Sequence, residues 1–383
     1  MFRKIKEIIS LIKNDSKNYH NIEINKYYIK KNFNFSKSSR KLSDNSVERI
    51  FLFSKKLINQ DKKINKNDLW KPITSQKDHQ DLLKSCIKND LKKFNKIMNL
   101  GNKTKLTQGF LNYCDYEDLM FSNKKRYKES EQFIDKLISL AEYKKLTAVF
   151  NPEQGKWVVK NNDYIKLIDK VFSIKNKKIK PFISPNYTFG LKANNLFYSI
   201  KDIKSLYTSL RIKELSKKNK FIQINEIGAG LGYLPFYSSK MNNIYHNVFD
   251  LPFVLILQSY YLMISLGEDK VHLYGEKKKT SHIISLNPYW SIFNANIRNV
   301  LWINQDSLPE IDKKLSEKYL KKIFSSKKSY FLSINQEAKA KNFIKSIQHP
   351  VHELIDKNVK KNIIYRSRDF LRKGYIEELY YIK

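Results

Sequence analysis

The sequence predicts an α/β fold: a mostly parallel sheet in the C-terminal half, preceded by a mostly helical region. Three observations carry this. From about residue 200, short apolar runs alternate with helix-like stretches, as parallel βαβ units require. A glycine-rich turn, Gly228 to Gly232, follows the first run. The last two runs are joined by a short link holding Gly374, too short for a parallel crossover, so they should pair as an antiparallel hairpin.

Taken in order, residues 1 to 190 are rich in Lys and Asn and show helical periodicity, as in Asp81–Phe94 and Glu131–Ala141. Phe2, Ile5, Ile8, Ile9 and Ile12 share one helical face, read as a helix docked on its own protein. The alternative is peripheral attachment to an anionic membrane surface. Residues 13 to 46 are polar enough for partial disorder. Lys180–Gly190, with two prolines and a glycine, reads as a connector. The boundary falls near 190 to 200, giving an accessory region, 1–190, and a sheet domain, 200–383. Ile203–Leu215 is an amphipathic helix. The expected strands are 221–227, 244–249, 270–274, 300–303, 330–334, 362–365 and 375–382, with helices over 251–266 and 310–323.

Composition bounds the function. With 41% hydrophobic and 13% aromatic residues the chain can bury a sizeable core. Two cysteines, Cys86 and Cys114, exclude a disulfide framework and fit a reducing, cytoplasmic setting. The histidines lack metal-ligand spacing, so no metal is expected. The formal charge is +36, which raises nucleic acid as a partner. Only nine of the 73 basic residues are Arg, the side chain suited to bidentate phosphate or base recognition, and the lysines are spread along the whole chain. That pattern argues against nucleic acid. Leu251–Leu266 is too short to span a membrane, and the N-terminus has no uninterrupted apolar stretch of a secretory signal.

The segment that carries chemistry is Phe221-Ile-Gln-Ile-Asn-Glu-Ile-Gly-Ala-Gly-Leu-Gly-Tyr233. A buried strand holds Glu226, and Gly228, Gly230 and Gly232 let the backbone turn tightly and approach a ligand. The following helix presents free N–H groups. Asp250, 20 residues after Gly230 at the end of the second strand, can accept the hydroxyls of a ribose. The spacing departs from G-x-G-x-x-G, because Tyr233 stands at the third glycine's place.

This acid–glycine pattern, with the terminal hairpin, resembles the class I S-adenosylmethionine-dependent methyltransferases over residues 200–383. The resemblance implies a Rossmann-like seven-strand sheet of order 3-2-1-4-5-7-6 and S-adenosyl-L-methionine as cofactor. It implies that Gly228, Ala229, Gly230 and Gly232 cradle the donor's methionine end, that Glu226 orients the loop, and that Asp250 and Leu251 bind at the ribose. Tyr274 to Glu276 would flank the adenine. A narrower resemblance comes from Asp250-Leu-Pro252, from Asn304-Gln-Asp-Ser-Leu-Pro-Glu310 and from Ile334-Asn335. These are similar to the sugar O-methyltransferases of bacterial polysaccharide clusters, with Asn304 at the cofactor side and a sugar or glycan as substrate. Ile311 departs from the Met usual there.

Methyl transfer to a hydroxyl needs positioning and a base. Asp306 and Glu310 after the fourth strand, Glu337 after the fifth, and His349 and His352 beyond it are the candidates. Ser307 and Glu310 also have capping-box spacing, which would make Glu310 a helix N-terminal acid. Asn287-Pro-Tyr-Trp290 resembles the N-P-P-Y motif of amino-methylating nucleic-acid enzymes but lacks the second proline. Two alternatives remain at this point: an RNA or DNA acceptor, favoured by a continuous basic face beside the sheet's carboxyl edge, and a non-catalytic binding protein, favoured if a side chain such as Tyr233 blocks the glycine loop.

Overall fold

The structure is a computed structural model that describes residues 18–20, 24–38, 40–61, 75–147, 163–174, 177–337, 347–355 and 362–383. The expected Phe2–Ile12 helix lies outside the described residues. Eight strands form one sheet: β1 (Gln223–Ile227), β2 (Tyr245–Asp250), β3 (Val271–Leu273), β4 (Ile284–Pro288), β5 (Val300–Gln305), β6 (Ser329–Gln336), β7 (Ile363–Arg368) and β8 (Tyr375–Ile382). Their order is β7-β8-β6-β5-β1-β2-β4-β3. All neighbours from β3 across to β6 are parallel, and β8 runs antiparallel between β6 and β7. The expected order is therefore kept with one strand added. Ile284–Pro288, absent from the sequence reading, lies between the expected third strand and β2, with His246 opposite Ile284 and Asp250 opposite Pro288. Its sequence, Ile-Ser-Leu-Asn-Pro, is buried apolar strand framed by turn residues.

Six helices matter for the site: α1 (Asp44–Gln60), α2 (Asn123–Tyr143), α3 (Ile200–Lys218), α4 (Tyr233–Met241), α5 (Pro252–Leu266) and α6 (Lys313–Phe324). α3 begins with a full capping box: Ser199 accepts from the Asp202 amide and Asp202 accepts from the Ser199 amide. α5 starts on Pro252, whose fixed φ suits the first helical position. α6 starts at Lys313, not near Glu310, because Asp312 caps it by accepting from the Leu315 amide. Ser307 makes no side-chain cap, so the capping-box reading of Ser307 and Glu310 is corrected. The polar stretch 13–46 includes a helix, Lys26–Asn32, and a strand, Phe33–Phe35, which pairs antiparallel with Phe189–Ala193. Buried Ile24, Ile29 and Phe33 anchor it, so its described part is packed where partial disorder was expected.

One apolar core runs from Ile24 through α1, α2, α3 and α5 to Leu286 and Leu371. A second, under β5 and β6, centres on Trp302, whose Nε1 donates to Ser326 Oγ at 2.8 Å. Hence the N-terminal helices are laid directly on the sheet's own helices. α1 is tied to the β3 turn by Arg49, which grips Glu276 with Nε and Nη2, each at 2.6 Å. No helix among the described residues is long and apolar enough to cross a membrane.

Candidate functional site

The carboxyl ends of β1, β2, β5 and β6 meet at one edge of the sheet, and most of the sequence-derived candidates collect there. β1 ends at Ile227 and the chain turns through three left-handed glycines: Gly228 at φ +72°, Gly230 at +56° and Gly232 at +89°. A Cβ on Gly228 would stand 2.3 Å from Ser307 Oγ, and one on Gly232 would stand 2.8 Å from the Leu262 side chain. These two glycines are demanded by the protein itself. Gly230 differs: the nearest atom to its missing Cβ is Phe110 Cδ1, at 3.6 Å. Of the three, only Gly230 could carry a Cβ without overlap, and Phe110 stands in ordinary contact with that position. Tyr233 does not block it, because its ring lies on Phe182 and its hydroxyl meets Ser184 Oγ at 2.8 Å.

Asp250 closes the loop from the β2 side. Its carboxylate accepts from the Ala229 amide at 2.9 Å, the Leu251 amide at 2.8 Å and Gln258 Nε2 at 2.7 Å. Gln258 also donates to the Gly230 carbonyl at 2.7 Å, while its own Oε1 is buried without a partner. Burial pushes the Asp250 carboxyl up to about 7, against these hydrogen bonds. A carboxylate has about four acceptor directions, so three donors leave one for a hydroxyl. Glu226 is buried within β1, and its Oε2 meets Nε2 of the wholly buried His246 on β2 at 2.9 Å. His246 Nδ1 has no hydrogen-bond partner among the described residues.

The β5 side is held by Asn304 and Ser307. Asn304 donates to the Ile227 carbonyl at 2.9 Å and accepts from the Leu308 amide at 3.2 Å. Ser307 Oγ donates to the same carbonyl at 3.0 Å. Asn335 at the end of β6 donates to the Asn304 carbonyl at 3.4 Å. The three motif segments that carried the narrower resemblance thus form one network beneath the glycine loop.

The proposed bases are distributed differently. Asp306, at φ +73°, lies between Asn304 and Ser307 and pairs with Arg372 at 2.5 Å. Burial alone would raise its carboxyl; Arg372, Lys204 and Lys201 outweigh that and hold it below the usual range. Glu310 sits on the short turn Leu308–Glu310, half-buried. Glu337, beyond β6, pairs with His352 Nδ1 at 2.5 Å and with Arg366. His349 lies 3.8 Å from Glu353 within its own segment. So Asp306 lies one residue before, and Glu310 three residues after, the Ser307 that packs on Gly228, whereas Glu337, His349 and His352 belong to the β6–β7 side. Tyr274 to Glu276 are one strand further from Asp250 than the sequence reading placed them, because β4 intervenes. The residues abreast of Asp250 are instead Pro288 and, next, Tyr289 and Trp290, whose rings meet edge to face at 4.9 Å.

Sequence reasoning missed Gln258, His246 and Phe110. Gln258, eight residues after Asp250 on the helix it opens, was the most legible of them. Phe110 comes from a loop of the N-terminal region and carried no signal.

No protein-family model matches this chain, and no curated protein matches it in sequence. Solved structures similar to it include magnesium protoporphyrin IX methyltransferase from Synechocystis PCC 6803, 11% identical, covering 47% of this chain and 83% of that one at a TM-score of 0.33. A glycopeptide N-methyltransferase is 12% identical, covering 47% and 90% at 0.34. These likenesses are too weak to assign any role; the strand order and its antiparallel hairpin carry the fold.

Proposed function

We propose that this chain is an S-adenosylmethionine-dependent methyltransferase acting on a hydroxyl of a sugar or glycan. The observation that supports it is the loop at the end of β1. Of its three left-handed glycines only Gly230 has no overlap at its Cβ position, it is braced by Asp250 and Gln258 from β2 and α5, and it stands where the strand order reverses, the place at which open α/β sheets take ligands. The residues present fit the donor: Gly228, Ala229, Gly230 and Gly232 as cradle, Glu226 and Asn304 as supports behind it, and Asp250 with Leu251 at the ribose. Bound there, S-adenosylmethionine would supply an electrophilic methyl group.

The chain's own task is then to place a hydroxyl in line and take its proton. Asp306 suits this poorly, since Arg372 and the neighbouring lysines favour its ionised form and weaken it as a base. Glu310, three residues beyond the Ser307 that packs on Gly228, is the proposed base. Phe110 packs beside Gly230 on that flank. The sugar acceptor rests on the sequence resemblance, whose Asp250, Asn304, Ser307 and Asn335 form the network described above.

The test is transfer of a labelled methyl group from S-adenosylmethionine to a panel of glycans. Wild type should label a sugar hydroxyl, and Glu310→Gln should cut turnover at least tenfold with donor affinity kept. Labelling of RNA instead of glycans would overturn the acceptor, and full activity in Glu310→Gln would remove it as base.

A further inference from the structure

Beside Asp306 the chain gathers four cations from three separate elements. Lys136 comes from α2, Lys201 and Lys204 from the first turns of α3, and Arg372 from the turn before β8. Lys136 is 2% exposed, Lys204 6% and Arg372 4%. Lys136 Nζ and Lys204 Nζ lie over the same ring, Tyr113, at 5.9 and 5.2 Å from its centre, and Arg372 lies over Tyr375 at 3.7 Å. Arg372 has two carboxylate partners, Asp306 at 2.5 Å and Asp369 at 3.3 Å. The ammonium groups of the three lysines have no hydrogen bond or ion pair among the described residues. The stems of Lys136 and Lys204 are buried while their ammonium groups reach solvent at the rim, so like charges are held together there. Two of these lysines also stand at the positive end of a helix, where a cation is disfavoured. Burial pushes Lys201 and Lys204 down to about 8. Tyr113 is 56% exposed and forms the rim, so the cluster opens to solvent. The same loop carries Phe110, the residue over Gly230, and Asp306 adjoins Ser307, which touches Gly228. The cluster thus adjoins the glycine loop along the sheet edge.

We propose that Lys136, Lys201, Lys204 and Arg372 form a phosphate-binding pocket, and that the acceptor methylated by this chain carries a phosphate group. Asp306 faces Lys201 and Lys204, and Asp369 and Glu129 also face Lys204, yet none bonds an ammonium group of the three lysines; an anion entering past Tyr113 supplies that bonded partner. A phosphate suits the pocket better than a carboxylate, since it brings close to two charges and three acceptor oxygens. The inference rests on the transferase reading for calling the occupant an acceptor; the anion site itself does not.

The test is calorimetric titration of the full chain at pH 7 with inorganic pyrophosphate, and in parallel with S-adenosylhomocysteine, the donor without its methyl. Wild type should bind pyrophosphate at one saturable site, weakening with salt. Lys136→Met and Lys204→Met should each weaken it at least tenfold and leave S-adenosylhomocysteine affinity within threefold. Because each variant removes one of several like charges held together, its melting temperature should hold or rise, and pyrophosphate should stabilise wild type more than either variant. Absence of saturable binding, or equal binding in the variants, would overturn the pocket. A tenfold loss of S-adenosylhomocysteine affinity in the variants would overturn it too, assigning the lysines to the donor's carboxylate. If wild type binds pyrophosphate but not S-adenosylhomocysteine, the transferase reading falls and the anion site stands; the reverse result removes the pocket alone.

Discussion

Gly228→Ala would place a methyl 2.3 Å from Ser307 Oγ and 2.5 Å from Ser307 Cβ, on a backbone held at φ +72°. The cost has two separable parts. A Cβ in the left-handed region costs about 1–2 kcal/mol. Overlap with a side chain pinned to the Ile227 carbonyl adds about 1–3 kcal/mol. The variant should therefore lose about 2–5 kcal/mol of unfolding free energy. Ser307→Gly removes the overlapping atoms at the expense of two hydrogen bonds, to the Ile227 carbonyl and from Asn304 Nδ2, about 1 kcal/mol each. In that background Gly228→Ala should cost only the backbone part, so the two changes should couple by about 1–3 kcal/mol. Denaturant unfolding of the four proteins, followed by circular dichroism, measures this directly. Gly230→Ala is the control: with Phe110 Cδ1 at 3.6 Å it should show the backbone part alone. An equal cost for Gly228→Ala in both backgrounds would refute the contact, and with it the packing of the β5 turn against the loop.

Glu226→Ala leaves the buried His246 with neither ring nitrogen partnered and should lower unfolding free energy by about 1–3 kcal/mol, part of it recovered on adding His246→Phe. At His20, burial alone would lower the pKa, but hydrogen bonds and charge from Asp135 and Glu142 hold it at about 9. A folded value above the unfolded one stabilises fully below about pH 6.5 and is lost as pH rises through about 9. His20→Gln should therefore lower the melting temperature most at pH 6, and the difference from wild type should shrink to little by about pH 10. Since β4 brings Tyr289 abreast of the loop, Tyr289→Ala should weaken S-adenosylhomocysteine about tenfold, or about 1.4 kcal/mol, and Tyr274→Ala should not. Isothermal titration of both variants checks the added strand's consequence.

The strands that flank the glycine loop were legible because buried parallel strands read as continuous apolar runs bounded by turns. Phe221–Ile227 and Tyr330–Ile334 needed nothing more, and Tyr375–Ile382, antiparallel in the sheet, was placed by the short Gly374 link. Ile284–Pro288 was hidden by its own ending: Asn287-Pro-Tyr-Trp290 drew attention as a motif, and the run before it is only a few residues long. Local signals placed Glu226, Asp250 and the glycines, whose chemistry is written in type and spacing. They could not show that Asp250 braces the loop through Gln258, or that His246 answers Glu226, since both contacts cross between elements. The lysine cluster was illegible for a different reason. In a chain with 64 lysines, burial alone distinguishes Lys136 and Lys204 from the rest, and burial is a property of the fold. Part of the chain's large positive charge is thus turned inward at its side-chain stems.

The central claim is that the turn after β1 holds S-adenosylmethionine at Gly230. Titration of the folded chain with S-adenosylhomocysteine, repeated on Gly230→Val, tests it most directly. The account predicts one saturable site in wild type and none in the variant, with the variant still melting cooperatively. Equal heats of binding in the two proteins, or none in wild type, would contradict it.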